Sequence, residues 1–197
     1  MSHSKRLMKY LVGLALIAFF SESSLSSYQP LPGDQVVYRV EEYRDELLKK
    51  LVKEYDVIAE LTAEDSGNND DLTVVIRYLE NGTVSKVFGD PYSGWYLDVT
   101  LGAIIKELAC IFDFLLADRP EGTVAEWQML NMGELGAIEA CYYKDPVAKN
   151  QMWVNRSIPI YAMAKMIIYD DEAKVYRVYT LKSFKCNPMN NSCLKHN

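Results

Sequence analysis

Two helices and eight or nine strands in antiparallel order, an α+β domain, is the fold class that this sequence predicts. Three observations lead to it. Apolar residues recur at three- and four-residue steps from Val36 to Tyr55. A second run, Leu101 to Ala117, has a very wide apolar face. Most of the remaining chain consists of short runs rich in Val, Ile and Tyr, divided by turn signals.

The elements follow in order. Residues 1–27 read as a secretory signal peptide: Lys5, Arg6 and Lys9, then the apolar run Leu11–Phe20, then the small polar stretch Ser21–Ser27. Ten apolar residues are too few to span a bilayer, which needs roughly 20. Residues 28–35 form a linker, and Asp34 is the expected N-cap of the first helix, 36–55. Acidic residues lead in that run and lysines follow, with Asp45–Lys49 and Glu46–Lys50 as i,i+4 pairs, an order that suits the helix dipole. Strands are expected at Val57–Ala63 and Leu72–Leu79. Asn81-Gly82 signals a hairpin into Val84–Phe88, and Trp95–Val99 follows. The second helix, Leu101–Ala117, stops before Pro120. Its Lys106, Glu107 and Asp113 speak against a membrane span, and its wide apolar face speaks for burial. The last strands are expected at Thr123–Leu130, Ala137–Tyr143, Met152–Val154, Ile158–Tyr169 and Lys174–Lys185. The domain then runs from 36 to 186, with a disulfide-closed tail at 187–197.

All four cysteines follow the leader, and an even count in an exported chain reads as two disulfides. Three pairings are possible. The short loop between Cys186 and Cys193 favours their union, which leaves Cys110 with Cys141. Chain-entropy arithmetic gives about 3.5 kcal/mol for the longer loop and about 2.5 for the shorter. Three sequons, at Asn81, Asn155 and Asn190, agree with export to an extracellular compartment and mark candidate glycosylation sites.

Charge and residue types then exclude function classes. The chain carries a net charge of −6, and removing the leader makes it two units more negative. An acidic chain without a basic run repels phosphate backbones and anionic membrane surfaces, so nucleic acid is not an expected partner. The 2 histidines are His3, in the leader, and His196, next to the C-terminus. The domain therefore lacks the commonest general base and the commonest zinc ligand. There is no G-x-S-x-G, P-loop or dinucleotide fingerprint, and no carboxylate pair stands out. The acidic stretch 64–71 lacks EF-hand spacing and reads as a solvated loop. No enzyme, cofactor or metal is expected.

One segment points toward a ligand. Along Ile158–Tyr169 both alternating faces are apolar, with one charge among the residues. The even face holds Ile158, Ile160, Met166 and Ile168, together with two alanines that leave room. A sheet with one wet face would alternate instead. The six methionines beyond the leader all lie after residue 128, and methionine is a pliable lining for apolar ligands. Ile158, Ile160, Met166 and Ile168 are therefore the candidate binding residues, with Met163 and Ile167 on the core side.

The order of elements resembles the ependymin-related and LolA-like group of exported proteins. It runs from an antiparallel hairpin through Trp95-Tyr96-Leu97-Asp98, a segment reaching Cys110, and Pro120. A strand with Leu130-Asn131-Met132-Gly133, the strand of Cys141 and a final long hairpin complete it. The likeness covers residues 55–186. It implies a strongly curved antiparallel sheet of about eight strands packed on two helices, enclosing an apolar ligand space. Gln35-Val36-Val37 begins like the cystatin protease-binding loop, but Arg39 stands where that loop needs glycine. The expected function is a secreted glycoprotein that carries a lipid-like small molecule. The alternative is an extracellular protein-interaction module without a small-molecule ligand.

Overall fold

The computed structural model describes residues 28, 30–63, 72–88, 102–103, 105–112, 120–147, 150–191 and 193. They form one antiparallel sheet of nine strands: β1 (Gln35–Tyr43), β2 (Leu51–Ala63), β3 (Leu72–Tyr78), β4 (Val84–Phe88), β5 (Val124–Asn131), β6 (Ala137–Asp145), β7 (Asn150–Val154), β8 (Met163–Asp170) and β9 (Val175–Lys185). The spatial order is β4-β3-β2-β1-β9-β8-β7-β6-β5. Two meanders, β1–β4 and β5–β9, are thus joined through the pairing of the first strand with the last. A 3₁₀ turn, Gly133–Leu135, in the β5–β6 hairpin comes close to β9. Three strand spacings of about 4.8 Å separate β6 from β9 along the sheet. That approach therefore requires strong curvature.

The expected α+β class is corrected. Among the described residues no helix reaches seven residues. Over 36–55 the structure forms a hairpin. Val36, Tyr38 and Val40 are buried at two-residue spacing, and their neighbours Val37 and Arg39 point the other way. The β-branched residues of this segment fit a pleated surface, and pairing with β2 on one side and β9 on the other fixes it as a strand. The charges that read as helix pairs build the turn instead. Asp45 accepts hydrogen bonds from the backbone N–H groups of Lys49 (3.2 Å) and Lys50 (2.7 Å). The second expected helix shrinks to residues 102–103 and 105–109, and its last turn leads to Cys110. Residues 113–119, the expected strand Trp95–Val99 and the leader lie outside the described residues.

Asp34 caps no helix. It is fully buried and accepts from Tyr28 Oη (2.7 Å), Leu31 N (2.8 Å), Asn187 N (2.6 Å) and Asn190 Nδ2 (2.8 Å). One carboxylate so ties the segment before β1 to the loop that Cys186–Cys193 closes. Residues expected to be a linker and a tail are docked against each other, and both cysteines of that loop meet the core.

The expected strand Ile158–Tyr169 is also shorter, since β8 begins at Met163. Pro159 has no N–H to give a ladder, and Ile160 and Ala162 adopt φ of 68° and 51°. Residues 155–162 are therefore a loop, which Asn155 N→Ala162 O closes at 3.0 Å.

Candidate functional site

The strand register assigns side chains to two faces of the sheet. Val40 lies opposite Tyr179, Tyr179 opposite Met166, Met166 opposite Met152 and Met152 opposite Tyr143. Paired residues point the same way, so these share one face, here face A. Cys141, Tyr38, Tyr55 and Tyr78 belong to it by alternation and register.

The short helix lies over the β6–β7 end of face A. The Cys110–Cys141 disulfide binds it to β6, Lys106 Nζ stands 5.8 Å from the Tyr143 ring centroid, and Ala103 packs with Val154 and Ala162. Glu107 reaches from it to Arg156, accepting from that residue's backbone N (2.8 Å) and Nε (3.1 Å). Burial raises the Glu107 carboxyl above the usual carboxylate range, and the hydrogen bond and charge of Arg156 only partly offset that rise.

Beside this anchor the loop 155–162 carries Tyr161 onto face A. Its ring centroid lies 6.3 Å from that of Tyr38, whose hydroxyl donates to Met163 O at 2.8 Å. The two residues that flank Tyr161 are the pair with positive φ, and a β-branched residue such as Ile160 rarely takes that conformation. Each such residue costs about 1–3 kcal/mol. Ile158, Pro159 and Ile160 are buried to within 2% of full burial, which holds the strained turn in place. Tyr78 and Tyr179 complete the patch.

Toward the β1–β2 hairpin the patch ends in charge. Arg177 bridges Glu42 (3.1 Å) and Asp170 (2.6 Å), and Tyr55 donates to Glu42 at 3.3 Å. Burial pushes the Tyr161 hydroxyl up to about 12, with Tyr78 adding to it. Burial likewise raises Tyr38, Tyr55 and Tyr179. For Tyr179 the nearby Arg177 pulls the other way. These hydroxyls stay neutral at physiological pH. The patch offers ring faces, thioether and aliphatic surface, and uncharged hydrogen-bonding groups. That chemistry suits binding.

The four expected binding residues divide. Met166 and Ile168 lie on face A of β8 and remain half-buried, whereas Met163 and Ile167 are each only 7% exposed. Ile158 and Ile160 are not on a strand face. They are core residues of the 155–162 loop that carries Tyr161, because strand geometry ends at Val154 and resumes only at Met163. Sequence reading missed Tyr38, Tyr161 and Tyr179, and placed Glu42 on the polar side of a helix. Two-residue spacing of Val36, Tyr38 and Val40 was the signal for Tyr38. No local signal marks Tyr161, since its position depends on a loop conformation that the core enforces.

The cysteines join as Cys110–Cys141 and Cys186–Cys193. Of the sequon asparagines, Asn81 is exposed, Asn155 is half-buried and Asn190 is buried. The Nδ2 of Asn190 is turned inward and donates to Asp34 Oδ2 at 2.8 Å. Among the described residues no three His, Cys, Asp or Glu side chains gather as a metal site, and no helix is long and apolar enough to cross a membrane.

No protein-family model matches the chain, and no curated protein matches it. Among solved structures it is similar to MucB, with a TM-score of 0.34 and 11% identity over 83% of this chain. The match spans 57% of MucB, less than two thirds of that protein's length. A likeness this weak transfers no residue and no ligand.

Proposed function

We propose that the chain is an exported, non-catalytic binding protein that holds a lipid-like molecule on face A, against β8, β9 and the Tyr161 loop. The supporting observation is the unequal burial of the long apolar side chains of β8. Met163 and Ile167 are closed off, while Met166 and Ile168, beside the tyrosines, are only half covered. Two disulfides suit an extracellular or periplasmic compartment. The absence of histidine from 28–193 favours binding over acid–base catalysis.

The test is displacement of a neutral environment-sensitive dye, N-phenyl-1-naphthylamine, by long-chain lipids, together with two variants. Met163→Ala should cost about 2–5 kcal/mol in chemical denaturation, as in a packed core. Met166→Ala should cost less than half as much and weaken dye binding more. Equal, large destabilisation by both variants, with no dye bound to the parent protein, would refute the carrier.

A second reading is an extracellular interaction module. It is favoured by the exposed Leu47, Leu51 and Val52 around the β1–β2 hairpin, 71%, 50% and 47% accessible. Native mass spectrometry of the secreted protein separates the two: a retained small-molecule mass supports the carrier, and a ligand-free dimer supports the module.

A further inference from the structure

Three sequons face very different surroundings. Nδ2, the atom that would carry a sugar, donates to Asp34 Oδ2 at 2.8 Å in Asn190, which is 8% exposed. In Asn155 it donates to Glu139 O at 2.9 Å, while Oδ1 accepts from Ser157 N at 2.9 Å. Both ends of that amide are built into the loop below Tyr161. Asn81 stands in the β3–β4 turn, where residues 79–84 are all exposed. There the carbonyl end of the amide is engaged, accepting from Thr83 N at 2.9 Å. A Cβ placed on the adjacent Gly82 would meet nothing within 4 Å.

The surface around Asn81 carries exposed apolar side chains. Leu79 and Val84 flank the turn, 55% and 54% exposed. The Lys53–Glu80 ion pair, at 2.6 Å, brings the projecting end of β2 alongside, with its exposed Leu51 and Val52. Among the described residues β4, which follows the turn, is an edge strand of the sheet. Exposed aliphatic side chains next to a sheet edge invite self-association.

We propose that Asn81 alone of the three sequons carries an N-linked glycan in the folded, exported protein, and that this glycan shields the apolar surface around the β3–β4 turn. The proposal rests on the export reading. A sugar is bulky and hydrated, and at Asn81 it would lie over Leu79 and Val84 without disturbing a backbone contact. A sugar on Asn190 would remove one donor of the Asp34 cluster and force that amide out of the core, so chains modified there would not complete the fold.

The experiment expresses the full chain in a mammalian secretory line. Protein from the medium is treated with peptide N-glycosidase in heavy-oxygen water and mapped by mass spectrometry. Labelled aspartate is expected at position 81 and at neither 155 nor 190. Unmodified Asn81, or label at position 155 or 190 in protein whose Cys186–Cys193 bond is intact, overturns the assignment. Asn81→Gln should lose the mobility shift on deglycosylation and elute as larger species in size-exclusion chromatography. If that variant is not secreted, parent protein deglycosylated under native conditions gives the same comparison. An unchanged elution profile overturns the shielding role. Retention of the uncleaved chain in the cytosol would instead defeat the export reading itself, and the inference with it.

Discussion

The two meanders of the sheet solve the problem of their outer surfaces in opposite ways. In β1–β3 the face opposite face A is largely wet. Arg39 pairs with Glu54 at 3.1 Å, Lys182 of β9 with Asp56 at 2.6 Å, and Arg77 with Glu60 at 3.7 Å. These pairs are partly exposed, and each contributes little stability. In β6–β9 the same face carries Tyr142, Trp153, Ile167 and Val178. Tyr142 and Trp153 lie ring to ring at 4.8 Å, and Trp153 donates to Gln128 at 2.7 Å. Face A of this half is apolar as well. A half-sheet that is apolar on both sides needs additional chain to cover it. The short helix and the loop 155–162 cover part of face A, and the β5–β6 turn curls back toward β9. Among the described residues, the short helix and the loop 155–162 thus lie over strands that cannot face water on either side.

That contrast can be broken at its seam. Asp34 holds the entry to β1 against the exit from β9, where the two meanders join. Asp34→Ala strands four donors in a buried place and should cost about 3–5 kcal/mol. The measurement is equilibrium urea unfolding, and Asp34→Asn should recover part of the loss by retaining one acceptor oxygen. A loss under 1 kcal/mol would mean that the seam does not depend on this carboxylate.

Next in size is the cover over face A. Replacing Cys110 and Cys141 together with alanine should cost about 3.5 kcal/mol, chiefly by freeing the unfolded chain. The same measurement on Arg39→Ala supplies the reference for the wet half, where pairs of this kind contribute at most about 1 kcal/mol.

The smallest effect concerns the charge beneath the cover. The Glu107 carboxyl is raised in the fold by burial, so the native state holds its proton more tightly than the unfolded chain does. Its contribution is therefore most favourable below the ordinary glutamate range and declines as pH rises through the raised value. The melting-temperature difference between the parent and Glu107→Gln should shift in favour of the parent as pH falls from neutral toward 4. A difference that does not change with pH would remove Glu107 from the account.

The sequence by itself determined the strands β3, β4, β5, β6 and β9 to within a few residues. There, β-branched and aromatic runs end at strong turn signals such as Asn81-Gly82 and Asp170-Asp171-Glu172. Local chemistry also favoured closing Cys186 onto Cys193, because so short a loop keeps the two residues close. Only the tertiary structure decided the state of residues 36–55. Their spacing satisfies a helix and a hairpin alike, and the choice fell to β9, more than a hundred residues away, which pairs with β1 along its length. Asp34 is the same kind of case. As a local signal an Asp before an apolar run reads as a cap, but its four donors come from Tyr28, Leu31, Asn187 and Asn190, two of them from the far end of the chain. Tyr161 reaches face A because a buried, strained turn at Ile160 and Ala162 puts it there. Periodicity reports which faces of an element are apolar; it carries no information on which distant segment will cover them, and that covering fixes both the fold and the proposed site.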